Sequence, residues 1–198
     1  MLTWEVLDTA GIGGFMAFSS KHWRVCLVAL ALALPAAPAS HTYVLIGCRH
    51  SSSSITWANL ASTAYKSTMT DAIAAWNATS TPVTLSAVPA EYTYRIRLFN
   101  NNDGLTGFDG VTSFPSCPGG VWSGMVYSHV NSFYTDSSDA NGRKQVMVHE
   151  IGHALGLNHT GGTACSLQPI MYTNSNRYFI CQHVNPQADD VNGINYIY

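Results

Sequence analysis

Charge is what this sequence has least of. Only 10% of its 198 residues are Asp, Glu, Lys or Arg, against the quarter usual in a soluble domain. Nine basic and eleven acidic residues leave a formal net charge of −2, so no basic stripe is available for nucleic acid. No apolar run reaches the roughly 20 residues a membrane-spanning helix needs; the longest, residues 25–34, has ten. There is no C-x-x-C pair, which removes the usual cysteine-based zinc sites. Internal repeats are also missing. What is there excludes disorder: 46% hydrophobic and 11% aromatic residues can build a core. Ser, Thr, Asn and Gly take the place of the missing charge, which suits an exported, polar-neutral surface.

The short apolar run has the flanks of an export signal. Lys21 and Arg24 precede it, and Ala37-Pro38-Ala39 supplies the small residues of a cleavage site. Residues 1–39 are therefore read as a signal peptide, with residues 1–15 read as a start-site artefact because Met16 gives a more usual beginning. Residues 40–198 form a single mature domain without a membrane span. Cys48, Cys117, Cys165 and Cys181 remain in it, and an even number in an exported chain favours disulfides. Four cysteines allow three connectivities. The expected pairing is Cys165–Cys181 across a local loop, leaving Cys48–Cys117 to tie the amino-terminal strand to the middle of the chain.

Periodicity supplies the coarse architecture. Tyr65, Met69, Ala72, Ile73 and Trp76 recur at helical spacing and predict an amphipathic core helix over residues 62–78. Residues 83–88 read as a strand, and Tyr94, Ile96 and Leu98 alternate with Arg95 and Arg97 as a half-buried strand. Glycines punctuate a loop-rich stretch at 100–120, and another strand falls near 125–130. The polar cluster at 136–139 starts a helix running to about Leu155. A last helix begins near Pro186, with Asp189 and Asp190 at its positive end and Ala188, Val191, Ile194 and Tyr198 as its apolar face.

The chemistry lies at the end of the long helix. His149 and His153 are four residues apart, one turn on the same face, and can share a metal ion while Glu150 points to its open side. Gly156 can turn the chain and bring His159 round as a third ligand. Three nitrogen ligands and an open position describe a catalytic zinc site. Its five fixed positions would coincide by chance on the order of once in 100,000 chains of this length.

This segment resembles the metzincin zinc endopeptidases, whose long motif is followed by a methionine turn. Here that turn is Pro169-Ile170-Met171-Tyr172, with Met171 twelve residues after His159. The matrixin-like branch fits best, through residues 153–159, Met171-Tyr172 and the closing 189–198. The likeness is specific over 143–198 and only architectural over 52–142. It implies that Met171 lies under the zinc ligands as an apolar floor without binding the metal. It also implies that residues 173–179 wall the pocket beyond the scissile bond, with Tyr172 and Thr173 touching substrate and with Tyr178 and Phe179 either giving an aromatic lining or packing in the core.

The departures from the family are clear. Gly47-Cys48-Arg49 does not match a cysteine-switch propeptide, and the middle of the chain lacks the His and Asp spacing of a structural zinc or of calcium ions. His129 is read as an ordinary strand or loop histidine, with no partner carboxylate following at the right spacing. His183, His50 and His41 read as lone surface histidines. Asn77-Ala78-Thr79 is a glycosylation sequon. Residues 100–103 with Asp109 could offer oxygens to Ca2+, but a solvated turn fits better because no bidentate spacing appears.

The expected fold is α+β and metzincin-like. It has a twisted mixed sheet with one antiparallel edge strand, a backing helix, the zinc-binding helix and a carboxy-terminal helix. The edge strand lies within 104–114 or 121–127. The expected activity is that of a secreted, monomeric zinc endopeptidase acting on polypeptides, with Glu150 as general base. Two rivals remain, a zinc hydrolase of a small amide and a non-catalytic zinc-binding adhesion or toxin module. Retention of Glu150 argues against the second.

Overall fold

The computed structural model describes residues 42–161, 165, 169–174 and 176–198, which belong to one compact unit. The expected signal peptide and His41 lie outside the described residues. In chain order the elements are β1 (Val44–Leu45), β2 (Ser54–Asn59), α1 (Lys66–Asn77), β3 (Thr84–Ala87), β4 (Ile96–Asn101), β5 (Gly110–Ser113) and β6 (Val126–Asn131). They continue with α2 (Ser132–Thr135), α3 (Ala140–Leu155), β7 (Leu157–Asn158), α4 (Asn176–Phe179) and α5 (Ala188–Ile197).

Five strands form one mixed sheet in the order β3-β2-β4-β6-β5. The first three pairings are parallel; β5 alone runs antiparallel, against β6, and ends the sheet. This settles the edge strand in favour of the 104–114 segment. Period-two alternation turns Ile55 and Trp57, Ile96 and Leu98, and Val126 and Val130 to one buried face. α1 and α3 cover that face. Tyr65, Met69, Ala72, Ile73 and Trp76 are all buried against it, as their spacing requires, and each large apolar side chain there contributes about 1.5–3 kcal/mol. Trp76 Nε1 donates to the Val148 carbonyl of α3 at 2.9 Å, locking the two helices together. Asn77 of the sequon is tied to β3, bonding both the N–H and the carbonyl of Leu85.

Asp139 begins α3 by accepting the Gly142 N–H at 2.7 Å. Gly156 ends it at φ 112°, a left-handed conformation. An added Cβ there would lie 2.5 Å from the Cys48 carbonyl oxygen. The turn sends the chain into β7, which pairs antiparallel with β1. Disulfides join Cys48 to Cys117 and Cys165 to Cys181. By loop-closure entropy these are worth about 4 and about 3 kcal/mol.

The last helix buries Ile194 and half-buries Val191 and Tyr198, as expected, but Ala188 is exposed, and Asp190 and Gly193 join the buried face. A carboxylate has displaced an alanine from the interior because the neighbouring turn supplies it with backbone donors.

Candidate metal centre

α3 carries His149 and His153 one turn apart, and the Gly156 turn followed by β7 returns His159 to face them. His159 Nε2 lies 3.1 Å from Nε2 of His149 and 3.1 Å from Nε2 of His153. Ligand atoms of all three converge within 4.8 Å. The far ring nitrogens are held in place: His149 Nδ1 bonds the Ile170 carbonyl at 2.7 Å, and His153 Nδ1 bonds the Leu157 carbonyl at 2.8 Å. Donation to a carbonyl fixes the proton on Nδ1, so each Nε2 presents a lone pair inward. Lone pairs converging this closely repel one another unless a cation lies among them. Tetrahedral zinc with Zn–N bonds of about 2.0–2.1 Å separates its nitrogens by about 3.3 Å, so the donor set fits zinc.

Protonation is also suppressed. Burial pushes His149 well below its ordinary range, with the Arg177 charge adding to it. Burial lowers His153 to about 4. His159 is lowered by burial and then by Arg177. Neutral imidazoles are the form that binds metal.

Glu150 is buried at 4% exposure. Its Oε2 accepts from Thr112 Oγ1 of the edge strand β5 at 2.7 Å. The same hydroxyl lies 3.0 Å from the Glu150 carbonyl oxygen and 3.0 Å from Ser128 Oγ. Burial pushes the carboxyl up to about 8; the Thr112 bond opposes this and the Asp109 charge reinforces it. A divalent cation at the histidines acts the other way, favouring the carboxylate.

Met171 is buried beneath α3, so close to Gly152 that an added Cβ there would run into its sulfur. Two residues that sequence reasoning did not single out hold this region. Asp190, at 1% exposure, accepts the Ile170 N–H at 2.8 Å, the Met171 N–H at 3.2 Å and the Gln187 N–H at 2.7 Å. It fixes the turn whose carbonyl orients His149. The sequence offered it only as a helix-start aspartate beside Asp189, which instead binds Thr42.

The second is Arg177, at 2% exposure, whose Nη1 donates to the Tyr172 carbonyl at 2.9 Å. Its one signal was isolation: it is the single Asp, Glu, Lys or Arg between His159 and Asp189.

A cavity of about 440 Å³ adjoins His149, Glu150 and His159. Among the expected substrate residues, Thr173 and Phe179 line it and Tyr172 and Tyr178 do not. The Tyr178 hydroxyl bonds both carboxylate oxygens of Asp139 at 2.8 and 2.7 Å, bracing the wall against the start of α3. Tyr172 forms a bridge with Thr160.

His129 does have a carboxylate partner, but one that precedes it: its Nε2 lies 2.7 Å from Asp103 Oδ2, and its ring stacks on Phe99. His50 is buried, at 3% exposure, and is not a surface residue. In the 100–103 loop the side-chain oxygens of Asn100, Asn102 and Asp103 all meet protein groups, consistent with a turn.

The matrixin family model matches residues 48–198. Among solved structures the chain is similar to myroilysin in two cases. One has 19% identity over 59% of this chain and 54% of that one, with a TM-score of 0.42; this chain thus spans about half of it. The other has 16% identity over 78% of each chain and a TM-score of 0.39. It is also similar to high choriolytic enzyme 1, a hatching enzyme zinc-protease from the medaka fish Oryzias latipes, at 15% identity over 83% of this chain and 98% of that one, with a TM-score of 0.42. No curated protein matches it. With the family model covering most of its length and the three-histidine centre at its heart, the chain belongs to the matrixins, a family of zinc metalloendopeptidases.

Proposed function

We propose that this protein is a secreted, monomeric endopeptidase that cleaves polypeptides with zinc held by His149, His153 and His159 and with Glu150 as general base. One observation carries the reading: Glu150, next in sequence to the first histidine, bonds Thr112 on the strand that ends the sheet. The base thus stands between the metal centre and an edge to which an extended peptide can add through main-chain hydrogen bonds. That placement favours a polypeptide over a small amide.

His149, His153 and His159 would hold zinc, which would supply Lewis acidity toward the water and the scissile carbonyl. Glu150 takes the proton of the attacking water on its carboxylate and passes it to the leaving nitrogen. The Thr112 hydroxyl donates to the ionised carboxylate. It can accept from the protonated one, because Ser128 Oγ and the Glu150 carbonyl surround the same oxygen. Met171 and Asp190 keep the floor and His149 in place.

The test is to express the full chain in a secreting host, then count zinc in the exported protein and offer it casein. Glu150→Ala should retain zinc and lose hydrolysis; cleavage at the wild-type rate would overturn the mechanism. Export with removal of the signal peptide predicts an amino terminus at Ser40, read by sequencing.

A further inference from the structure

Arg177 makes the cavity beside the metal centre an unusual place. Its guanidinium is almost wholly buried, lines the cavity, and keeps Nε without a hydrogen-bond partner. Gln145, at 2% exposure, lines the same cavity and leaves its buried amide oxygen unpartnered. Two buried polar side chains from different elements thus have unused hydrogen-bonding capacity at one site, and such a group is costly to leave unpaired.

Three carboxylates lie in electrostatic range of Arg177: Asp109, Glu150 and Asp190. Asp190 is committed to three backbone N–H groups and Glu150 to Thr112. Asp109 lines the cavity with Arg177, Gln145 and Glu150. The remaining wall is mixed, with Ser137, Ser138 and Asn174 beside Phe108, Val146 and Phe179, so polar partners for a charged side chain stand within an otherwise partly apolar cavity.

We infer that Arg177 makes this cavity a subsite for an acidic substrate side chain, so that the enzyme prefers Asp or Glu flanking the scissile bond. The inference rests on the endopeptidase reading and specifies its substrate class. A guanidinium presents donors in a fork matched to a carboxylate, and such charge-assisted bonds are about twice as strong as neutral ones. Burial has lowered the pKa of Arg177, meaning its charge is poorly solvated, and an incoming carboxylate relieves that. Gln145 can turn its amide to present NH2 to the same group.

The test uses the exported, zinc-loaded protein and paired peptides differing only in Asp against Asn, or Glu against Gln, beside the scissile bond. Wild type should favour the acid in kcat/KM by about tenfold or more. Arg177→Gln should bring that ratio to about one or reverse it, while Arg177→Lys should retain part of it. A wild-type ratio of one or below overturns the inference, and so does an unchanged ratio in Arg177→Gln. Should Arg177→Gln fail to fold, the wild-type ratio and Arg177→Lys decide. Binding of the same pairs to Glu150→Gln protein separates the two readings. Acid-selective binding without turnover by wild type would support the subsite and sink the endopeptidase, and turnover without selectivity would do the reverse.

Discussion

Replacing Asp190 by alanine removes the acceptor for three N–H groups at once, those of Ile170 and Met171 buried and that of Gln187 partly so. Its Oδ2 serves Ile170 and Gln187 at 2.8 and 2.7 Å, and its Oδ1 serves Met171 at 3.2 Å. Each orphaned donor costs about 1–3 kcal/mol. A water entering the vacated space recovers part of that, so the expected loss is about 3–5 kcal/mol. Asparagine should fare better. Its single oxygen can take the Oδ2 position and keep the two shorter bonds, setting its NH2 against only the longer Met171 bond. It also escapes the cost of burying a charge, which has pushed the Asp190 carboxyl up to about 6. The expected loss for Asp190→Asn is about 1–2 kcal/mol.

Zinc should weaken in the same order, because the Ile170 carbonyl that orients His149 belongs to the turn Asp190 holds. Loss of such support typically costs about 10–100-fold in metal affinity. Urea unfolding of the zinc-loaded proteins at pH 7.5, with zinc affinity read by chelator competition, measures both quantities. Asp190 does not hold this turn if Asp190→Ala unfolds within about 0.5 kcal/mol of wild type, or if asparagine proves worse than alanine.

Three further outcomes are expected. Burial holds folded His50 at about 4, below its ordinary 6.5. Its contribution is therefore complete above pH 6.5 and is lost as pH falls towards 4, up to about 3 kcal/mol; the stability gap between wild type and His50→Gln should shrink over that window, and a gap independent of pH would count against it. Gly152→Ala sets a methyl against the Met171 sulfur and the Trp76 ring, so calorimetry should show destabilisation of about 1–3 kcal/mol. Changing both Cys48 and Cys117 to serine should cost about 4 kcal/mol and the Cys165–Cys181 pair about 3. Denaturation of the two double variants compares them, and the reverse order would argue against loop-closure entropy as the source.

The sequence by itself determined the elements whose physics is local. The convergence of His149, His153 and His159 and the helix that carries the first two beside Glu150 were legible because four-residue spacing on a helix is geometry, and Gly156 announces the turn that returns His159. The α1 stripe was legible for the same reason, since Tyr65, Met69, Ala72, Ile73 and Trp76 can share only one helical face. The mixed sheet with a single antiparallel edge was implied by the metzincin resemblance, and the strand pairings bear it out.

What tertiary structure decided was the fate of polar side chains. Asp189 and Asp190 are chemically equivalent at a helix start, yet one meets Thr42 near the surface and the other enters the core. Only the approach of Ile170 and Met171, some twenty residues away in sequence, makes burial tolerable for Asp190. The Tyr178 hydroxyl binds Asp139, 39 residues earlier, a partner that no local spacing announces. His129 found its carboxylate upstream in Asp103, where spacing rules that look forward would miss it. Arg177 shows the point most sharply. In a chain nearly without charge its isolation was visible in the sequence, but its burial in the wall of the cavity beside the three histidines depends on neighbours that only folding assembles.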